Sequence, residues 1–321
     1  MRPMHPPQGP SVRSGWWLLL ACLPLSSWSQ EQTATWRTIS GAKVVVRYEE
    51  ADQRNAATVL QQAEEACSKI SDELGLAYLP VLHLIMAPSA EEFASLTHGR
   101  LPRWAAGATT LETQGPVIYI PSPRWGASGQ DLSRTVVHEV AHALVAVASD
   151  FRPLPRWLTE GLAIRFSREQ QWTSPSDVSR ALLTNSVVPL EEIEQLNSFP
   201  EQKARLAYQE SFLAVDYLVQ TYGLDAMRII LASAAKGQDI DVAFERAIDR
   251  DTWEFQQEWL NFVRKRYRWA FLAELDWPLW VLILALAGAA FVAVRLRTRK
   301  TVRAWEQEAK EQEDLQPWES E

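Results

Sequence analysis

The stretch Val136-Val137-His138-Glu139-Val140-Ala141-His142-Ala143-Leu144-Val145-Ala146-Val147 places two histidines four residues apart in an apolar run. On an α-helix, residues at that separation lie on one face, one turn above the other, so both imidazoles reach a single point. This is how one helix offers two ligands to a single Zn²⁺. Glu139, between them, is placed to take a proton from water at such an ion. The run is apolar nearly all round, which predicts a buried helix beginning near Asp131. Ionisable groups in such a helix are costly unless they bind something. Packing alone explains two imidazoles and a carboxylate poorly, and a coincidental match to a five-residue pattern is the alternative.

A catalytic zinc takes a third protein ligand. The chain has five histidines, His5, His83, His98, His138 and His142, and none follows His142. His5 lies in a segment with the character of an export signal, His83 reads as a core position in a strand, and His98 sits in a loop beside Gly99. A downstream carboxylate is left. Asp150 is only eight residues beyond His142, whereas Glu160 lies in Pro155-Arg156-Trp157-Leu158-Thr159-Glu160-Gly161, which reads as the first turns of a second helix opened by proline. Seventeen residues intervene between His142 and Glu160, enough to end one helix, turn and bring the next back against it. A surface glutamate is the alternative reading of Glu160; the flanking Trp157, Leu158 and Leu162 favour a buried one.

Upstream of this block the pattern alternates. A strand over Val44–Tyr48 leads to a helix over Arg54–Leu74, a strand over Val81–Met86, a short helix near Ala90–Leu96 and a strand around Ala105–Thr110. Pro116-Val117-Ile118-Tyr119-Ile120-Pro121 reads as a further strand, and its flanking prolines predict an edge position. After Asp131 the pattern is helical almost to residue 276. An α/β half over 30–128 followed by a helical half over 129–276 is the organisation expected, and hence an α+β chain.

The quoted blocks resemble the peptidase-MA-like gluzincins, a bacterial group of zinc metallopeptidase-like proteins. Trp104-Ala105-Ala106-Gly107, the strand through Ile118, Ala207-Tyr208-Gln209-Glu210-Ser211 and Tyr222-Gly223 extend the similarity to about residues 40–265. The resemblance implies a zincin-like fold: a twisted mixed sheet over an active-site helix, then a helical subdomain supplying the glutamate ligand. It implies one Zn²⁺ per chain on His138, His142 and Glu160, a peptide or protein substrate, and Glu139 as general base. Its relatives also supply a tyrosine from the helical side, and Tyr208, on the stripe Tyr208/Ser211/Phe212/Val215, is the candidate for that donor; a core tyrosine is the alternative. The connection from His142 to Glu160 is slightly shorter than in the best-studied gluzincins. A zinc-stabilised, non-catalytic binding or scaffold protein tethered to the membrane is the competing class, and a non-peptidase zinc hydrolase a third. A purely structural zinc is usually four-coordinate and closed, with no spare glutamate between its histidines.

The ends of the chain carry addressing signals. Residues 1–29 read as a signal peptide: Arg2 and Arg13 precede an apolar stretch from Trp16 to Leu25, and small residues precede Gln30. Leu19-Leu20-Ala21-Cys22 offers lipidation at Cys22 as an alternative to cleavage near Ser29. Residues 277–296 contain an uncharged run, Trp277 to Val294, long enough for one membrane crossing. Arg295, Arg297, Arg299, Lys300 and Arg303 follow it as a stop-transfer flank. The expected placement is the bacterial cell membrane, single-pass, with the body extracytoplasmic and the acidic tail 297–321 cytoplasmic. From Thr301 onward the tail reads as a solvated, flexible segment.

The balance of 32 Lys and Arg against 40 Asp and Glu, with a net charge of −8, argues against nucleic acid as a partner. Two cysteines exclude a disulfide-dense scaffold and a Cys-rich zinc module, and Cys67 falls on the apolar stripe of the predicted helix. Of 15 tryptophans, Trp269, Trp277 and Trp280 gather at the outer membrane boundary, where indoles settle among headgroups.

Overall fold

The computed structural model describes residues 35–99, 101, 106–112, 115–125, 132–169, 176–270 and 277–314. The signal-peptide reading, Cys22, Trp104 and Ala105 lie outside these residues.

Strands β1 (Trp36–Ser40), β2 (Val44–Glu49), β3 (Leu82–Ala87), β4 (Ala108–Glu112) and β5 (Gly115–Pro121) form one mixed sheet in the order β1-β2-β3-β5-β4. β2, β3 and β5 run parallel, while β1 and β4 are antiparallel to their neighbours. Helix α1 (Gln53–Leu74) makes the crossover from β2 to β3, and α2 (Ala90–Leu96) lies in the connection from β3 toward the β4–β5 pair. The period of two decides the faces. Val44, Val46, Leu82, Leu84, Met86, Ile118 and Ile120 are buried on one side, with Val46 aligned on Leu84 and Leu84 on Ile118. They belong to one core with Ala56, Val59, Ala63, Cys67 and Ile70 of α1. Burial raises the Cys67 thiol to a pKa of about 12, with Glu64 adding to it, so this is an inert packing cysteine.

Two strand expectations need correction. β5 is not an edge: it lies between β3 and β4, and β4 is the terminal strand. Pro116 and Pro121 stand near the two ends of β5, where a missing N–H leaves the interior ladder intact. His83 is not a core residue either. Leu82, Leu84 and Met86 take the core face, so pleating turns His83 to the opposite, exposed one. On that face Ala108, Val117 and Tyr119 are covered by Phe93, Leu96 and Leu101, while Arg47 stacks 4.4 Å from the Trp36 ring.

The second half is helical: α3 (Leu132–Ala148), α4 (Arg156–Ser167), α5 (Ser176–Thr184), a 3₁₀ segment (Leu190–Ser198), α6 (Glu201–Ala235), α7 (Ile240–Ile248), α8 (Thr252–Tyr267) and α9 (Trp277–Asp314). α6 is two helices broken at Gly223. Trp157, at the start of α4, stacks on Phe255 of α8 at 5.7 Å and meets Phe244 of α7 edge-on. On α6, Tyr217 and Tyr222 both donate to the Glu258 carboxylate of α8, at 2.9 and 2.7 Å.

α9 is the one helix among the described residues long and apolar enough to cross a membrane. It does not end with the apolar run: the segment expected to be solvated and flexible is exposed over 301–311 and helical as far as Asp314. Ala, Glu, Gln, Lys and Arg, which dominate 303–314, are strong helix formers, and Glu306 with Lys310 is a favourable pair four residues apart.

Candidate metal centre

α3 packs against both the sheet and α4. Val136, Val140, Ala141, Ala143, Leu144 and Val145 are buried, which fixes its rotation and sends His138 and His142 together toward α4. The chain leaves α3 through Ser149–Pro155, where Asp150 and Phe151 take positive φ values of 51° and 58°. The Phe151 N–H closes the end of α3 on the Ala146 carbonyl at 2.7 Å. Asp150 is exposed in this turn, on no path to the histidines. α4 then returns along α3 and α6, bringing in Glu160 on its second turn. Close approach is set one residue later: a Cβ on Gly161 would meet the Ser211 backbone oxygen at 2.3 Å, so only glycine lets α4 lie this near α6. Arg165, bonded to Asp216 at 2.9 Å, ties the same two helices.

Three candidate ligand atoms converge. His138 Nε2 and His142 Nε2 are 3.1 Å apart, and Glu160 Oε2 lies 3.6 Å from the first and 3.4 Å from the second. A tetrahedral ion bonded at about 2.05 Å has ligand–ligand edges of about 3.3 Å. The three separations bracket that edge, so the donor set fits one small tetrahedral cation. His83 and His98 stay outside this cluster, both exposed.

Two of the three donors are held from behind. His138 Nδ1 faces Glu169 Oε1 at 2.8 Å, which directs Nε2 toward the cluster. Glu160 divides its oxygens: Oε2 faces the histidines, while Oε1 accepts from Arg156 Nε at 3.2 Å and lies 3.0 Å from its Nη2. Arg156 is held in turn by the 3₁₀ segment. Its backbone N–H donates to Glu194 Oε1 at 2.7 Å, and its Nη2 to Asn197 Oδ1 at 3.0 Å. Burial opposes a charge on His138, but hydrogen bonds to Glu160 and Glu169 outweigh it and raise its pKa well above the usual histidine value. Burial likewise opposes charge on Glu160, yet His142, His138 and Arg156 hold its carboxyl well below the usual range. A pocket with two buried carboxylates around its imidazoles selects positive charge, which is a second respect in which it suits a cation.

Glu139, almost fully buried, points to the sheet. Its Oε2 lies 2.7 Å from the Thr109 hydroxyl of β4, and its backbone carbonyl oxygen is 3.0 Å from the same hydroxyl. Gly107 lies so close that a Cβ there would come within 2.8 Å of Glu139 Cγ and Oε1. Tyr208, on α6, lies within electrostatic reach of these carboxylates. Burial first, then Glu160, raises its phenol pKa well above the usual tyrosine value; Glu139 and Glu169 add to the effect and Arg156 opposes it.

His138, His142 and Glu160 thus come together, with Glu139 on the same helix and Tyr208 within electrostatic reach, while Thr109, Glu169, Glu194 and Asn197 were not legible as part of the site. Glu169 follows the left-handed C-cap Arg168, and Thr109 is one polar residue in a strand, so neither carries a spacing signal.

Residues 96–265 match the family model described as Peptidase MA superfamily, more than half of the chain. Over 133 residues the chain is 25% identical to a Bacillus subtilis (strain 168) protein described as uncharacterized protein YhcO. That alignment covers 39% of each of the two chains, so the chain spans about two fifths of the relative's length. With a His–His–Glu cluster on helices inside the matched region, this chain belongs to the Peptidase MA superfamily.

Proposed function

We propose that the protein is a gluzincin-type zinc metallopeptidase of zincin-like fold, anchored in the membrane by α9 with its body extracytoplasmic and its tail cytoplasmic. The observation that carries this reading is the triangle of His138, His142 and Glu160 donor atoms, sized for one tetrahedral ion, with Glu139 on the same helix. A zinc ion held by those three residues would supply Lewis acidity, lowering the pKa of a water toward ~7 and polarising a carbonyl.

The chain's own groups do the rest. Glu139 accepts the proton of the water that attacks the scissile carbonyl and returns it to the leaving amine. Tyr208, whose phenol stays protonated at neutral pH, donates to the oxyanion of the tetrahedral intermediate. Glu169 keeps a proton on His138 Nδ1 so that Nε2 presents its lone pair. Arg156 restrains the Glu160 carboxylate. A peptide substrate adds to the sheet along β4, the strand beside Glu139, rather than along β5. In this reading 1–29 is the signal peptide, 30–128 the α/β part, 129–276 the helical part, 277–296 the membrane span and 297–321 the tail.

Glu139→Gln in the full-length, detergent-solubilised chain tests the assignment. The variant should keep about one zinc per chain by elemental analysis and lose at least about a hundredfold in hydrolysis of unfolded protein or a peptide library. Equal cleavage by the variant refutes the mechanism. Zinc bound at unit stoichiometry with no cleavage by the wild type would favour the scaffold alternative.

A further inference from the structure

Outside the donor cluster, the contact between β4 and the side chain of Glu139 has no role in holding a metal. We infer that Thr109 is a positioning residue for Glu139, and that β4 at Thr109, with Gly107 just before the strand, sets that carboxylate in one place. The inference rests on Glu139 acting as the general base.

Glu139 sits on a helix with two soft side-chain torsions beyond χ1, so the helix alone leaves its carboxylate several positions. Thr109 of β4 and Gly107, just before the strand, remove that freedom from two sides. Thr109 offers one hydroxyl proton to two oxygens, Glu139 Oε2 at 2.7 Å and the Glu139 backbone carbonyl oxygen at 3.0 Å. Oε2 is the nearer of the two, so the proton goes to Oε2. Oε2 is thereby held at the strand while Oε1 is the oxygen against Gly107. Gly107 supplies the space: a methyl group there would come within 2.8 Å of both Cγ and Oε1 of Glu139. That neighbour is the end of a flexible side chain, so an alanine at 107 moves the carboxylate and leaves the backbone in place.

The anchoring strand is also the terminal strand of the sheet: its Thr109, and Gly107 just before it, face Glu139. A substrate that pairs with β4 is therefore registered against the same strand that holds the base. Misplacing a reacting group by about 1 Å costs on the order of a hundredfold in rate. The hydroxyl of Thr109, and not its methyl group, is the part that sets this distance.

Three variants of the full-length chain separate the hydroxyl from mere packing. Thr109→Val should lower kcat by roughly ten- to a hundredfold with KM changed less than about twofold. Thr109→Ser, which restores the hydroxyl, should recover kcat to within about threefold of wild type. Gly107→Ala should lower kcat as Thr109→Val does. All three should bind zinc at the wild-type stoichiometry by elemental analysis, because neither residue touches a donor. A readout independent of hydrolysis is the melting temperature: Thr109→Val should lower it by at most half as much in a Glu139→Ala background as in the wild type. Unchanged kcat in Thr109→Val, or a Ser variant as impaired as the Val variant, overturns the inference; so do equal melting shifts in the two backgrounds. Wild-type protein that hydrolyses nothing sinks the peptidase reading, and the melting comparison then decides the Thr109–Glu139 coupling by itself.

Discussion

Removing the Glu169 carboxylate should weaken zinc binding without touching a zinc donor. Glu169 Oε1 lies 2.8 Å from His138 Nδ1, and the two side chains are only 12% and 14% exposed. A charged contact so close and so sheltered contributes about 1.5–3 kcal/mol, more than a neutral one. At ~1.4 kcal/mol per tenfold, Glu169→Ala should raise the zinc Kd by roughly 10- to 150-fold. Glu169→Gln keeps an oxygen to accept from Nδ1 and loses only the charge, so it should fall between the alanine variant and wild type. Competition against a chelator of known zinc affinity, with full-length protein in detergent at fixed pH and ionic strength, reads both values. Glu191→Ala, an exposed carboxylate on the 3₁₀ segment, is the control and should bind as wild type does. A Glu169→Ala variant whose Kd lies within twofold of wild type would refute the idea that His138 is oriented from behind.

Two further predictions concern the frame around the site. Gly161→Ala drives a Cβ against backbone, the Ser211 oxygen at 2.3 Å, which cannot step aside as a side chain can. It should cost at least about 1–3 kcal/mol by denaturant titration and weaken zinc binding as α4 is pushed from α6; an unchanged midpoint would contradict the close approach. Glu210 is fully buried, and its carboxylate oxygens each lie 3.2 Å from the Val188 N–H. Burial raises its pKa well above the usual carboxyl value, with the Val188 N–H and Lys203 opposing. The folded chain therefore holds a proton that the unfolded chain releases above about pH 4.3, and stability drains away as pH rises through the raised pKa. Glu210→Gln, which cannot ionise, should gain melting temperature relative to wild type on going from pH 5 to pH 8; a constant difference across that range would refute the protonated assignment.

The sequence was most readable where one residue type had few substitutes. Five histidines, none beyond His142, leave a carboxylate as the remaining ligand, and the buried turn around Trp157 and Leu162 singles out Glu160 rather than Asp150. The strand and helix alternation was readable for the same reason: Leu82, Leu84 and Met86 keep a strict period of two. What pattern could not supply was lateral order. Two prolines say that a strand end lacks N–H donors, but not which neighbours it has, so β5 was taken for the edge that β4 occupies. The supporting contacts were equally hidden. Thr109 and Glu139 are 30 residues apart, and Arg156 reaches Asn197 across 41, distances over which no local spacing carries information. The tail shows a different limit: a segment expected to be solvated and flexible is helical to Asp314, because the residues of 303–314 favour a helix intrinsically.

The divided carboxylate of Glu160 bears on which ion the pocket prefers. With Oε1 committed to Arg156, Glu160 would have one oxygen to give a bound ion. Calcium takes six to eight oxygens and favours carboxylates that can close around it with both, and magnesium is reluctant to shed water for imidazole. Two imidazole nitrogens and a single carboxylate oxygen suit the borderline-soft, low-coordination ions instead. Arg156, which would offer an ion nothing directly, would thus discriminate among cations by withholding half of a ligand.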